Sequence, residues 1–104
     1  MEKILRVKGL TLAAPQREKI KEIFRKADDF HIGADAILHL HVTQHGHSAD
    51  GESFTVQARL RADGHQMIFA EANADTPMKA AHKAEDHLTF QLRKYVKKRS
   101  DHRH

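Results

Sequence analysis

TPMKAAHKAEDHLTFQLRKYVKKR, residues 76–99, is the longest periodic stretch of the chain, and its reading decides the fold. Asp75 or Thr76 offers a side-chain oxygen to cap a helix, and Pro77 falls in the first turn, where its missing N–H is harmless. Met78, Ala81, Ala84 (or Glu85), Leu88, Leu92 and Tyr95 then recur every three or four residues. Lys79, Lys83, Lys94 and Lys97 cluster on a different side of the same helical wheel, bordered by His87 and Lys98. The stretch predicts a long helix with one apolar and one cationic face. Its apolar face needs a layer to cover, and the residues before it supply one.

Immediately upstream, Ile68, Ala70, Ala72 and Ala74 alternate with Met67, Phe69, Glu71 and Asn73, the pattern of a half-buried strand. Its small inward alanines leave room for a helix to lie close. Asp63-Gly64 predicts a tight turn before it. A strand with Phe54, Val56, Ala58 and Leu60 inward precedes that turn. The polar, glycine-containing run QHGHSADGE, residues 44–52, reads as a long hairpin connection. Before it, Ala36, Leu38, Leu40 and Val42 face inward while Ile37, His39, His41 and Thr43 face outward.

Residues 30–35 contain a glycine and no period, so they form a loop. Residues 15–29 predict an amphipathic helix through Ile20, Ile23, Phe24 and Ala27, with Arg17, Lys21 and Arg25 as a basic stripe on one flank. No Ser, Thr, Asp or Asn stands just before Pro15, so this end is expected to fray. Residues 3–8 predict a short strand, with Leu5 and Val7 inward, ending at Gly9.

The order is therefore β-α-β-β-β-α. It predicts an α+β two-layer sandwich, with a four-stranded sheet carrying both helices on one face and open on the other. The first two strands, joined through a helix by a right-handed crossover, are parallel if they are neighbours. Residues 1–99 form one domain and residues 100–104 a short polar tail, expected to be disordered.

Charge is unevenly spread. Residues 1–75 carry a net −1 and residues 76–104 a net +5, within a chain of net +4 and pI near 9.6. A nearly neutral body bearing one cationic helix points to a polyanionic partner. If the two helices pack side by side, Arg17, Lys21 and Arg25 could join Lys79, Lys83, Lys94 and Lys97 in one groove along a phosphate backbone. Lysines on a solvated helix face are common, but a face built for solubility interleaves acids. Here Glu85 and Asp86 are the last acids before Asp101. Phe90, near the middle of the basic face, reads either as a stacking aromatic, as a side chain folded over the helix edge, or as a protein contact.

Other chemistries fare less well. The chain has no cysteine, so neither a disulfide nor a thiolate metal site is available. His39 with His41, and His45 with His47, could bring imidazoles together, yet no carboxylate cluster completes a donor set. His82 and His87 are five positions apart on a helix and point about 140° from each other. No nucleophile elbow, phosphate loop or paired carboxylate is found, and Ser48, Ser53 and Ser100 have no evident base. No metal, cofactor, small-molecule substrate or catalytic residue is expected. No apolar run approaches membrane-spanning length, which makes a cytoplasmic protein with no membrane partner the expectation.

The element order, together with FAEA at residues 69–72, DTPMKAA at residues 75–81 and QLRKY at residues 91–95, resembles the ribosome hibernation-promoting factor family. That family includes ribosome-associated inhibitor A (protein Y) and proteins labelled sigma-54 modulation factors. Departures from its usual pattern are Met78 for a tyrosine, His82 for an aspartate, Phe90 for an arginine and Ala13 for a capping threonine. The resemblance implies a double-stranded-RNA-binding-domain-like fold. It also implies non-catalytic blocking of the decoding channel of the small ribosomal subunit, through its rRNA. Arg17, Arg93, Lys94 and Lys97 carry over from the family, and Lys21, Arg25, Lys79, Lys83, Lys98 and Arg99 join them on physical grounds. The sequence matches the short branch, expected to be a monomer off the ribosome and to need another factor for any ribosome pairing. The alternatives are a protein-interaction module of the sigma-54 modulation type, using Phe90 or the open sheet face with Ile37, Met67 and Phe69, or a generic RNA-binding domain.

Overall fold

A computed structural model describes residues 1–30, 35–48, 51–61 and 67–101, with side chains described for these except at 46–48, 51–52 and 98–101. The elements are β1 (Glu2–Lys8), α1 (Ala14–Ile23) continued by a 3₁₀ segment (Phe24–Asp29), β2 (Ile37–Ser48), β3 (Gly51–Arg61), β4 (Met67–Ala74) and α2 (Pro77–Asp101). One sheet holds the strands in sequence order, β1-β2-β3-β4. β1 pairs parallel with β2 across the helical connection, and the other neighbours are antiparallel. The predicted α+β architecture is present.

Alternation sets the two faces. Leu5, Leu38, Leu40, Val42, Val56, Ala58, Leu60, Ile68, Ala70 and Ala72 are buried on the face that meets the helices. α2 packs on β3 and β4, where Ala58, Ala70 and Ala72 meet a helix face that buries Ala80, Ala81 and Ala84. Small residues on both sides allow that close approach, and Leu88 and Leu92 fill the space beyond. Burying each of these leucines stabilises the fold by about 2 kcal/mol. α1 contributes Ile20, and its 3₁₀ continuation Phe24 and Ala27, to the same core.

Four local differences from the sequence-based expectation have physical causes. The helix over residues 15–29 tightens to 3₁₀ at Phe24, a geometry of three residues per turn that eclipses Phe24 and Ala27, both buried. Residues 44–48 and 51–52 are strand rather than connection: β2 and β3 stay paired through His45–Ser53, with a register irregularity before Ser48–Gly51. Polar composition marked them as loop, but a sheet open on one face tolerates polar residues where the backbone ladder is intact. The N-cap of α1, Ala13, offers no side-chain acceptor, as expected, but Gln16 Oε1 accepts the Ala13 backbone N–H at 3.1 Å. Finally, α2 continues to Asp101, so residues 100 and 101 belong to the helix rather than to a tail. The predicted turn at Asp63-Gly64 and residues 102–104 lie outside the described residues.

The junctions that aim these elements are also local. Gly9 ends β1 with φ +83°, and a Cβ there would stand 2.8 Å from the Gln44 carbonyl oxygen. Only glycine meets both demands without strain. At the start of α2, Thr76 Oγ1 accepts the Lys79 backbone N–H at 3.1 Å, the cap that the sequence indicates.

Candidate nucleic-acid interface

The 3.6-residue period that buries Leu88 and Leu92 turns Lys79, Lys83, Phe90, Arg93, Lys94 and Lys97 to the exposed side of α2. α2 spans 25 residues, about 37 Å at the α-helical rise. Leu92 is its last fully buried side chain and Tyr95 is half-buried. The final turns therefore carry Lys94 and Lys97 at the margin of the core. Lys98 and Arg99 lie on the same helix backbone, with side chains outside the described residues.

The polar contacts separate anchored cations from available ones. Lys79 Nζ sits 3.2 Å from Asp75, an exposed pair worth about 0–1 kcal/mol and easily exchanged for a phosphate. Lys83 Nζ reaches the Asn73 carbonyl oxygen at 3.5 Å, and His87 Nδ1 lies 3.0 Å from the Glu71 carbonyl oxygen. These contacts tie one flank of α2 to the outer edge of β4. Lys94 Nζ lies 4.4 Å from the Phe90 ring centroid, so the aromatic left open by the sequence is an exposed platform with a cation over its face. Among the described residues, Arg93, Lys94 and Lys97 form no ion pair with a carboxylate.

The α1 stripe faces elsewhere. Arg17 is half-buried and donates through Nη2 to the Leu5 carbonyl oxygen at 3.2 Å. Lys21 pairs with Glu18 at 3.7 Å, and Lys21 and Arg25 line a hollow with Met1, Lys3 and Asp28 beside β1. α1 and its 3₁₀ continuation do touch α2. Arg17, Lys21 and Arg25 lie beside β1, whereas Lys83 reaches β4 at the other edge of the sheet. Helical period placed each stripe on its own helix correctly. The edge that each helix overhangs is set by the sheet order, which no local pattern contains. Arg17 serves the fold as well, satisfying an edge carbonyl of β1.

The open sheet face holds Phe69, which the sequence reading offers as a protein contact, and His39 and His41, which it weighs as metal ligands. Strand pairing brings Ile4, His39, Arg59 and Phe69 into one line across all four strands, and Arg6, His41, Gln57 and Glu71 into the next. A hollow of about 350 Å³ lies among the β1, β2 and β3 residues of these two lines, with Met67 of β4. The alternation of each strand signals their shared face, but their juxtaposition depends on register. His45 Nε2 is bonded to Thr55 Oγ1 at 2.7 Å, and Thr55 in turn donates to Asn73 Oδ1. His45 is thus held in a hydrogen-bonded row across the sheet; His47 lies outside the described side chains. No group of three or more His, Asp or Glu that could hold a metal ion occurs among the described residues.

Comparison with known proteins places this geometry. The family model described as sigma 54 modulation protein / S30EA ribosomal protein matches residues 4–100. The chain belongs to that family. Its members are ribosome-associated modulation factors, and membership supports ribosome binding, hibernation and translation regulation for this chain. The crystal structure of the N-terminal domain of Protein Y from Thermus thermophilus superimposes with a TM-score of 0.73 at 13% identity, covering 91% of this chain and 99% of that one. At that identity the likeness is one of fold, and it matches the β-α-β-β-β-α order. No curated protein matches the chain. No helix among the described residues is long and apolar enough to cross a membrane.

Proposed function

We propose that this protein binds the small ribosomal subunit in the cytoplasm and blocks translation by occupying the decoding channel, where messenger and transfer RNA would otherwise sit. It acts by occupancy, with no chemical step and no cofactor. The observation that carries this reading is the exposed side of α2, where Arg93, Lys94 and Lys97 follow the last helix acid before Asp101 and form no ion pair with a carboxylate among the described residues. Ribosomal RNA offers closely spaced phosphates to such a face, and each phosphate neutralised releases condensed counterions. Lys79 and Lys83 extend the contact toward the start of the helix, and Lys98 and Arg99 toward its end. Arg25 and Lys21 grip a second RNA segment beside β1, where they line a hollow. Shape complementarity, rather than base reading, selects the site. Off the ribosome the protein is a monomer.

Sedimentation of extracts from growing and starved cells on sucrose gradients tests the proposal. The protein is expected in the small-subunit and whole-ribosome fractions at low salt and at the top of the gradient at high salt. Recovery only at the top, at low salt and in starved cells, would refute ribosome binding. The protein-interaction reading draws on the exposed Phe90 and Phe69. It predicts an association that survives both high salt and ribonuclease.

A further inference from the structure

From the open face of the sheet we infer a second nucleic-acid site, which takes a short single-stranded RNA segment with its bases against the strands. Phe69 and Met67 are among the most exposed large apolar side chains of the described residues, at 43% and 54%. They do not form an isolated greasy patch. The Arg59 guanidinium carbon lies 5.9 Å from the Phe69 ring centroid, and the register sets His39 beside Arg59 on the adjacent strand. Arg6 and His41 occupy the neighbouring line, and the hollow between the two lines is floored by the sheet itself.

This combination fits a nucleotide chain better than a protein surface. The face carries Arg6, Lys8, Arg59 and Arg61 against Glu2 and Glu71, so it is net cationic. Protein interfaces deplete charge at their centre, whereas here Arg59 and two histidines occupy the middle strands, between Ile4 on β1 and Phe69 and Met67 on β4. Single-stranded RNA asks for flat partners that stack on bases, with cations nearby for phosphates. Phe69, the Arg59 plane and the imidazoles of His39 and His41 are flat, and Arg6 and Lys8 lie along one border. Strands about 4.8 Å apart give the four-strand line a span of roughly 14 Å, enough for about two or three bases. The site is separate from α2, because α2 covers the opposite face of the sheet.

The test uses the full chain and a 4-thiouridine-labelled oligouridine, with anisotropy for affinity and photocrosslinking for location. Crosslinks are expected on the peptides bearing Phe69 and His39–His41, and Arg59→Ala combined with Phe69→Ala is expected to weaken binding by about 10-fold or more. Both side chains are exposed, so an unchanged circular dichroism spectrum and Tm confirm that the variant is folded. Crosslinks confined to α2 peptides, no oligouridine binding by the unmodified protein, or equal affinity for the variant would each overturn the site. So would a ribonuclease-resistant protein complex that depends on Arg59 and Phe69. Ribosome co-sedimentation is read separately. If it persists while sheet crosslinks are missing, only this site fails; if it is lost while they persist, only the decoding-channel proposal fails.

Discussion

Replacing Lys94 and Lys97 together by glutamine should flatten the salt dependence of ribosome binding by an amount that follows from the structure. The two candidate stripes present six exposed cations, Arg25, Lys79, Lys83, Arg93, Lys94 and Lys97. If each neutralises one phosphate, log Kobs falls against log salt with a slope of about −4 to −5, at roughly 0.7–0.9 per phosphate. Raising salt from about 50 to about 200 mM then costs the unmodified protein about 10³ in affinity. The double variant has a slope shallower by roughly 1.4–1.8 and loses only about 10² over the same range. Lys94 and Lys97 suit this test because neither is ion-paired to a carboxylate among the described residues and neither is buried. Lys79, already beside Asp75, is expected to change the slope less. The assay is anisotropy of labelled protein titrated with purified small subunits at stepped salt. A variant weakened by one constant factor at every salt, with an unchanged slope, would mean that the lysines act by packing rather than by neutralising phosphate. That result would refute the helix-face reasoning.

Two further outcomes probe the frame that aims this helix. Gly9→Ala should lower stability by about 1–3 kcal/mol, because alanine is strained at φ +83° and its methyl would meet the Gln44 carbonyl oxygen. Urea unfolding measures this, and an unshifted midpoint would mean that the β1 exit can turn another way. Thr76→Ala should cost about 1 kcal/mol through loss of the bond to the Lys79 N–H, while Thr76→Ser keeps most of it. Equal Tm values for the two variants would show that the cap does not stabilise α2.

The sequence alone determined what repeats locally. Alternation in residues 36–42, 54–60 and 67–74 assigned the strands and their inward faces, and the period of residues 76–95 assigned the core and cationic sides of α2. Both follow from fixed angular steps per residue, about 180° in a strand and 100° in a helix. Where composition rather than period carried the reading, it failed. Residues 44–48 and 51–52 are polar yet belong to strands, because pairing of β2 with β3 satisfies their backbone whatever their side chains.

Only the tertiary structure decided how the cations are grouped. The order β1-β2-β3-β4 sets Arg17 beside one edge of the sheet and Lys83 beside the other. How far two adjacent basic helices share a groove depends on which strand lies beneath each. The same non-local pairing lines up His39, Arg59 and Phe69, which are far apart in sequence and neighbours only through register. Residues 76–99 thus carried their own chemistry in plain view: an exposed basic face with Phe90 at its centre. The partners of that face, and the second basic surface behind it, arise from contacts between distant segments, which periodicity along one segment cannot encode.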